Sequence, residues 1–240
     1  MIKQVDITES FNADNLFLIK IKANSLCYKD YGFCKTFFEE QNGEICAYIN
    51  ILGESATIFS KENADENEIK AFLLFNNIKN VFCNRGFSLK SQGVILKYNL
   101  KNTVGINFNS QNKFNIKKAF FPDFKSAYLI LKDEFFMPDY NDFVSDLSFR
   151  IKNNSARFFQ AEGAVAFTLW ETDSQAVISA IAVEKSKRKN GLGAKLLQSI
   201  VNDILKENKE IYVYCEEKTK DFYIKNGFLQ IEKFYTGELN

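Results

Sequence analysis

The sequence contains no histidine. That removes the commonest metal ligand and the commonest neutral-pH base together, so any proton transfer must use Glu, Asp, Tyr, Cys, Lys, a water chain or the substrate itself. Cysteine is sparse and unpatterned. Cys27, Cys34, Cys46, Cys83 and Cys215 are odd in number and lack CxxC spacing, which suggests neither a zinc site nor a complete disulfide framework and fits a reducing interior. No run of about eighteen apolar residues occurs, and the start at Met1–Asp6 has no long apolar stretch; the expectation is a cytoplasmic chain, neither exported nor membrane-spanning. Net charge is nearly absent as well. Thirty-one Lys and Arg against thirty Asp and Glu leave +1, so nothing global draws the protein to nucleic acid or to an anionic membrane. Only two prolines interrupt the 240 residues, while twenty-five phenylalanines supply core candidates. Phe, Lys and Asn are spread over the whole chain, a composition bias rather than a patch. The length suits one large domain or two of about 120 residues.

The pattern of apolar residues predicts mixed α and β structure. Residues 13–30 carry Leu16, Ile19, Ala23 and Leu26 at helical intervals. Two β-rich runs, 33–40 and 44–51, flank Gln41-Asn42-Gly43, a hairpin signal. A short strand at Ser55–Phe59, a helix at Glu66–Asn76 and strands at Val81–Cys83 and Gly93–Tyr98 follow. A second unit begins after the Phe121-Pro122-Asp123 turn and the Met137-Pro138-Asp139 break, which divides the chain into domains 1–135 and 136–240. It opens with a helix over Asp139–Lys152 and a hairpin of Arg157–Ala161 with Ala164–Trp170 about Glu162-Gly163. A strand over Ala176–Val183 then delivers the chain to a glycine loop and to a helix over Gly193–Glu207 with Leu196, Leu197, Ile200, Ile204 and Leu205 on one face. Glu210–Cys215 reads as a strand and Thr219–Lys225 as a short helix ended by Asn226-Gly227. Alternating strand and helix here make an α/β unit.

The strand that ends Ile181-Ala182-Val183 and the loop Arg188-Lys189-Asn190-Gly191-Leu192-Gly193-Ala194 are the most informative part of the chain. Paired glycines let backbone amides approach a diphosphate, and the helix start adds its positive end. A plain tight turn into a helix has the same pattern. The loop is not a Walker loop, and no third glycine follows to complete a dinucleotide fingerprint. It does match the Arg/Gln-x-x-Gly-x-Gly/Ala pattern of the GCN5-related N-acetyltransferases (GNAT), and Phe222-Tyr223-Ile224-Lys225-Asn226-Gly227-Phe228 matches the block with that family's distal tyrosine. Within the family the chain resembles the subgroup with an FR47-like acyltransferase domain, through the hairpin Phe167–Ser174 that runs directly into the cofactor strand.

The resemblance implies an acyl-CoA N-acyltransferase fold with a mixed sheet. It implies that the backbone of Ile181, Ala182 and Val183 pairs with the pantetheine arm of acetyl-CoA, and that the amides from Arg188 to Ala194 hold its pyrophosphate. Tyr223 would then protonate the leaving thiolate; packing between Phe222 and Phe228 is its other reading. The family's usual Asn and Ala before this tyrosine are replaced by Glu216 and Thr219. Glu171, at the end of the hairpin strand, is a candidate base or a solvated edge residue. Cys215, without a histidine to activate it, reads as a core or lining thiol rather than an acyl carrier. Residues 1–135 share the element order but have no Gly-x-Gly between Ile58 and Glu68, which suggests a tandem protein with a degenerate first copy. The expected activity is transfer of an acetyl group to an amine of a small molecule or peptide, in a ternary complex, without nucleic acid, membrane or metal. The alternative is a non-catalytic acyl-CoA-binding or protein-interaction module. Acceptor, acyl-chain length and oligomeric state stay open.

Overall fold

The computed structural model describes residues 1–87, 89, 91–100, 114–135 and 137–239, without the side chain of Ser91. Its contacts divide it into two units. The first comprises Met1–Ile95, Tyr214–Lys218 and Ile231–Asn240, and the second Leu96–Val213 and Thr219–Gln230. This is not the cut at 135/136 expected from the two proline-containing breaks. Proline marks where a helix or strand ends, and here strand pairing over long sequence separation decides which segments cluster. Phe136, the first residue of the expected second domain, lies outside the described residues.

The first unit starts with β1 (Ile2–Val5) and α1 (Leu16–Cys27), followed by β2 (Cys34–Gln41), β3 (Glu44–Leu52), β4 (Ser55–Ser60), α2 (Glu66–Phe75) and β5 (Asn80–Cys83). β1 to β4 pair antiparallel in sequence order, and β5 returns parallel to β4 after the α2 crossover. The β2–β3 turn has positive φ at both Asn42 and Gly43, as a two-residue hairpin requires. Asn15 caps α1 by accepting from the Leu18 amide. Its apolar core joins Ile49, Ile58, Val81 and Cys83 of the sheet to Ile69 and Leu73 of α2. The unit is completed from the far end of the chain, where Tyr235–Glu238 pair antiparallel with Asn80–Cys83. These residues belong to β12 (Phe228–Glu238), which, like β6 (Ser91–Tyr98), carries residues of both units.

The second unit repeats the order: β7 (Lys117–Lys118), α3 (Phe124–Lys132), α4 (Tyr140–Lys152), β8 (Phe158–Ala161), β9 (Ala164–Glu171), β10 (Gln175–Val183), α5 (Leu192–Leu205), β11 (Glu210–Cys215), whose last two residues belong to the first unit, and α6 (Lys220–Lys225). β7 to β10 are antiparallel neighbours, and β11 returns parallel to β10 after α5. α3 and α4 bury Ala127, Leu131, Phe143 and Leu147 against Phe158, Val165, Phe167, Ala180 and Ala182 of the sheet. α5 buries Leu192, Leu196, Leu197, Ile200, Val201 and Ile204. This is a stripe at helical spacing whose side chains contribute about 1.5–3 kcal/mol each.

Candidate functional site

The last residues of β10 and the start of α5 form a site from backbone alone. The parallel ladder between β10 and β11 covers Gln175–Ile178 against Glu210–Val213, and β10 runs on with Ala180–Val183 paired only with β9. The crossing that follows makes a 3-10 turn over Lys185–Lys187 and then turns left-handed at Lys189 (φ 64°) and Gly191 (φ 80°). Asn190, between them, is not among the residues with positive φ. Among the described residues, no backbone or side-chain acceptor takes the amides of Lys189, Asn190, Gly191, Leu192, Gly193 and Ala194, and the first helical bond is from the Lys195 amide to the Gly191 carbonyl. Six consecutive donors at the positive end of a fourteen-residue helix make an anion cradle. A Cβ at Gly191 would have nothing within 4 Å, so the space over the loop is open, yet its φ is one that L side chains rarely adopt.

The side chains of the loop are less available than its amides. Arg188 donates from Nε to the Val183 carbonyl at 2.9 Å and pairs through Nη2 with Glu134 at the end of α3. Lys187 is held by Glu162 at 2.7 Å and faces Glu184, and Lys185 faces Asp133. The positive charge of Arg188 and Lys187 is therefore largely balanced by carboxylates. Lys189 has no acidic partner among the described residues. Nothing in the sequence marks Glu134 as the partner of Arg188, because the two are fifty-four residues apart.

α6 closes the site. A Cβ on Gly193 would stand 3.5 Å from Val183 Cγ2 and 3.9 Å from the Phe222 ring, so strand end, loop and α6 meet there. The next residue, Tyr223, is buried, with its ring edge-on to Phe222 at 5.1 Å and to Phe228 at 5.8 Å. The structure thus brings Tyr223, Ile181, Ala182, Val183 and the 188–194 loop into one unit.

Glu171 lies in the same unit but not at that end of β10. Glu171 pairs with Ala176 at the opposite end of β10, seven residues and about 23 Å of strand from Val183. Its carboxylate is buried and takes Arg157 Nε at 2.7 Å, Arg157 Nη2 at 2.5 Å, Thr168 Oγ1 at 2.5 Å and Lys209 Nζ at 3.2 Å. Arg157 also reaches Asp203 and Glu207. A carboxylate held this way anchors β9 to α5, and the solvated-edge reading of Glu171 fails along with the base reading. Cys215 is half-buried, forms no disulfide and belongs to the first unit. Among the described residues there is no cluster of potential metal ligands and no helix long and apolar enough to cross a membrane.

The equivalent crossing of the first unit is built differently. Asp65 accepts from the amides of Asn67 and Glu68, and its own amide donates to Glu39 Oε1. Carboxylates of the chain itself take the place of an anion at this helix start.

Residues 154–230 match the family model of the acetyltransferase (GNAT) domain. The chain has the GNAT fold. Solved structures share this fold. A tandem GNAT protein from the clavulanic acid biosynthesis pathway matches with a TM-score of 0.54 at 9% identity, covering 100% of this chain and 99% of that one. A GNAT-family acetyltransferase from Colwellia psychrerythraea matches at 0.55 and 10% identity, with 100% of both chains covered. A GCN5-related N-acetyltransferase from Sphaerobacter thermophilus gives 0.56 at 11% identity over 85% of this chain and 81% of that one. Comparison with curated protein sequences finds no match.

Proposed function

We propose that the protein is an N-acyltransferase that moves an acetyl group from acetyl-CoA to an amine by direct attack in a ternary complex. The observation that carries this reading is the run of six acceptorless amides, Lys189–Ala194, at the end of a strand whose last four residues have a partner on one edge only. The amides bind the pyrophosphate, and the free edge at Ile181–Val183 pairs with the amide groups of the pantetheine arm. At Val183 the carbonyl already accepts from Arg188, so Arg188 tensions the loop from below rather than reaching the phosphates. Tyr223 supplies a proton from its phenol to the sulfur that leaves as the amine nitrogen bonds to the acyl carbon. No carboxylate is assigned as the base; the amine arrives neutral, and the proton its nitrogen sheds on bonding to the acyl carbon passes through water and restores the phenol.

The first unit is a degenerate copy of the second. The shared strand order, three antiparallel pairs and then one parallel, supports a tandem origin, and the carboxylates of Asp65 and Glu39 explain why this copy needs no donor. The direct run of the β9–β10 hairpin into the site favours the FR47-like subgroup. The acceptor is a small-molecule or peptide amine in the cytoplasm.

The test is a mass-spectrometric screen of amines and peptides with acetyl-CoA, following free thiol. Acceptor-dependent thiol release is expected. CoA that binds but acylates nothing would leave a non-catalytic acyl-CoA-binding module, and absence of CoA binding would remove the donor from the reading.

A further inference from the structure

The pairing of β9 with β10 breaks twice within three residues. Val177 faces Trp170, Ile178 faces Thr168 and Ala180 faces Phe167, so Leu169 is unmatched on β9 and Ser179 is unmatched on β10. The two offsets cancel, and the strands continue from Ala180 in their former register. A bulge leaves backbone groups without ladder partners, and here named side chains take them. The Leu169 amide donates to Ser179 Oγ at 3.1 Å, and the Leu169 carbonyl accepts from Arg150 Nη1 at 3.0 Å. Arg150 is 2% exposed on α4 and is itself fixed by Asp146, whose two oxygens each lie 3.0 Å from Nε. Ser179 Oγ donates in turn to the Val177 carbonyl at 3.3 Å. The sequence gives one hint of this, since Ser179 is the single hydroxyl in the apolar run Ala176–Val183.

The place of this double bulge matters. Pairing of β10 with β11 ends at Ile178, the residue before Ser179, and the edge assigned to the donor's arm begins there. We propose that Ser179 and Arg150 are positioning residues for the acyl donor, holding the double bulge that turns β10 out of the β11 ladder and keeps the Ser179–Val183 edge free. The proposal rests on the acyl-CoA reading above. Loss of the Ser179 hydroxyl leaves the Leu169 amide without an acceptor, and β10 relaxes toward regular pairing with its edge displaced. The pyrophosphate cradle lies beyond Val183 and keeps its own geometry.

Two ligands separate these effects. CoA uses both the strand edge and the loop, whereas adenosine 3′,5′-bisphosphate has no pantetheine arm and uses only the loop side. In equilibrium titrations, Ser179→Ala is expected to weaken CoA binding about tenfold and to leave the bisphosphate within about twofold of the parent. Ser179→Thr, which keeps an oxygen at the same branch point and suits a strand, is expected to restore CoA affinity. If the Ala variant does not fold, Ser179→Cys, of similar shape but with a weak acceptor, carries the same expectation. CoA affinity unchanged in the folded variant, or an equal loss for both ligands, overturns the positioning role alone. A parent protein that binds neither ligand overturns the acyl-CoA reading and this proposal with it.

Discussion

A carboxylate with four donors around it and almost no exposed surface cannot exchange protons with a substrate, and Glu171 is in that state. Its worth is to the fold. Glu171→Gln removes the most buried of the three carboxylates around Arg157, and urea unfolding should show a loss of about 3 kcal/mol with CoA affinity unchanged. The outer members of the same network report on pH. The hydrogen bond from Arg157 holds the Glu207 carboxyl down, at about 2 against an ordinary 4.5. Burial alone would raise Asp203, but hydrogen bonds from Lys118 and Arg157 outweigh it and lower that carboxyl too. Groups depressed on folding stabilise the protein above their unfolded pKa, and that stability is lost as pH falls through the folded value. The melting-temperature gap between the parent and Glu207→Gln should therefore close as pH falls from about 4.5 toward about 2. Tyr223 is the residue on which chemistry should depend. Tyr223→Phe keeps the ring packed between Phe222 and Phe228 and removes the donor, and turnover should fall by about 10²–10⁴-fold with CoA affinity retained. Turnover within about threefold of the parent would return Tyr223 to packing.

At the scale of elements, the two crossover helices show what a helix start can and cannot hold. α5 begins on Gly191 with no side-chain cap, whereas α2 begins on Asp65, whose carboxylate takes two amides. Asp65→Ala should lower stability by about 1 kcal/mol in thermal melts and leave CoA binding untouched, because that helix start is not a donor site. The same contrast explains what was legible in the sequence. The β2–β3 hairpin, α5 and the glycine loop carry local signals, namely Asn-Gly, apolar residues at three and four spacing, and paired glycines. β12 carries none. Its apolar residues Phe228, Leu229, Ile231, Phe234 and Tyr235 follow no simple alternation along the sequence, although Phe228 and Phe234 are buried and Leu229 and Ile231 exposed. α3 was hidden behind Pro122-Asp123, which reads as a turn although Asp123 in fact caps the helix by accepting from the Ser126 amide. β1 is too short, at four residues, to show a period. The double bulge at Leu169 and Ser179 depends on the match between two strands, which neither strand's pattern reveals alone.

At the scale of the molecule, the described residues hold two units with one strand order and, at their two crossover helices, one open amide cradle. The boundary between them could not be read from punctuation, because Tyr214–Lys218 and Ile231–Asn240 join the first unit across more than a hundred residues of sequence. Function should follow the cradle and not the fold. Calorimetric titration of CoA into the parent protein and into Gly191→Val tests this most directly. Gly191 has a φ of 80°, so a β-branched side chain there must distort the loop that six amides share. The account expects one site per chain in the parent and at least about tenfold weaker binding, about 1.4 kcal/mol, in a folded Gly191→Val. Two equivalent sites, or equal affinity in parent and variant, would contradict it.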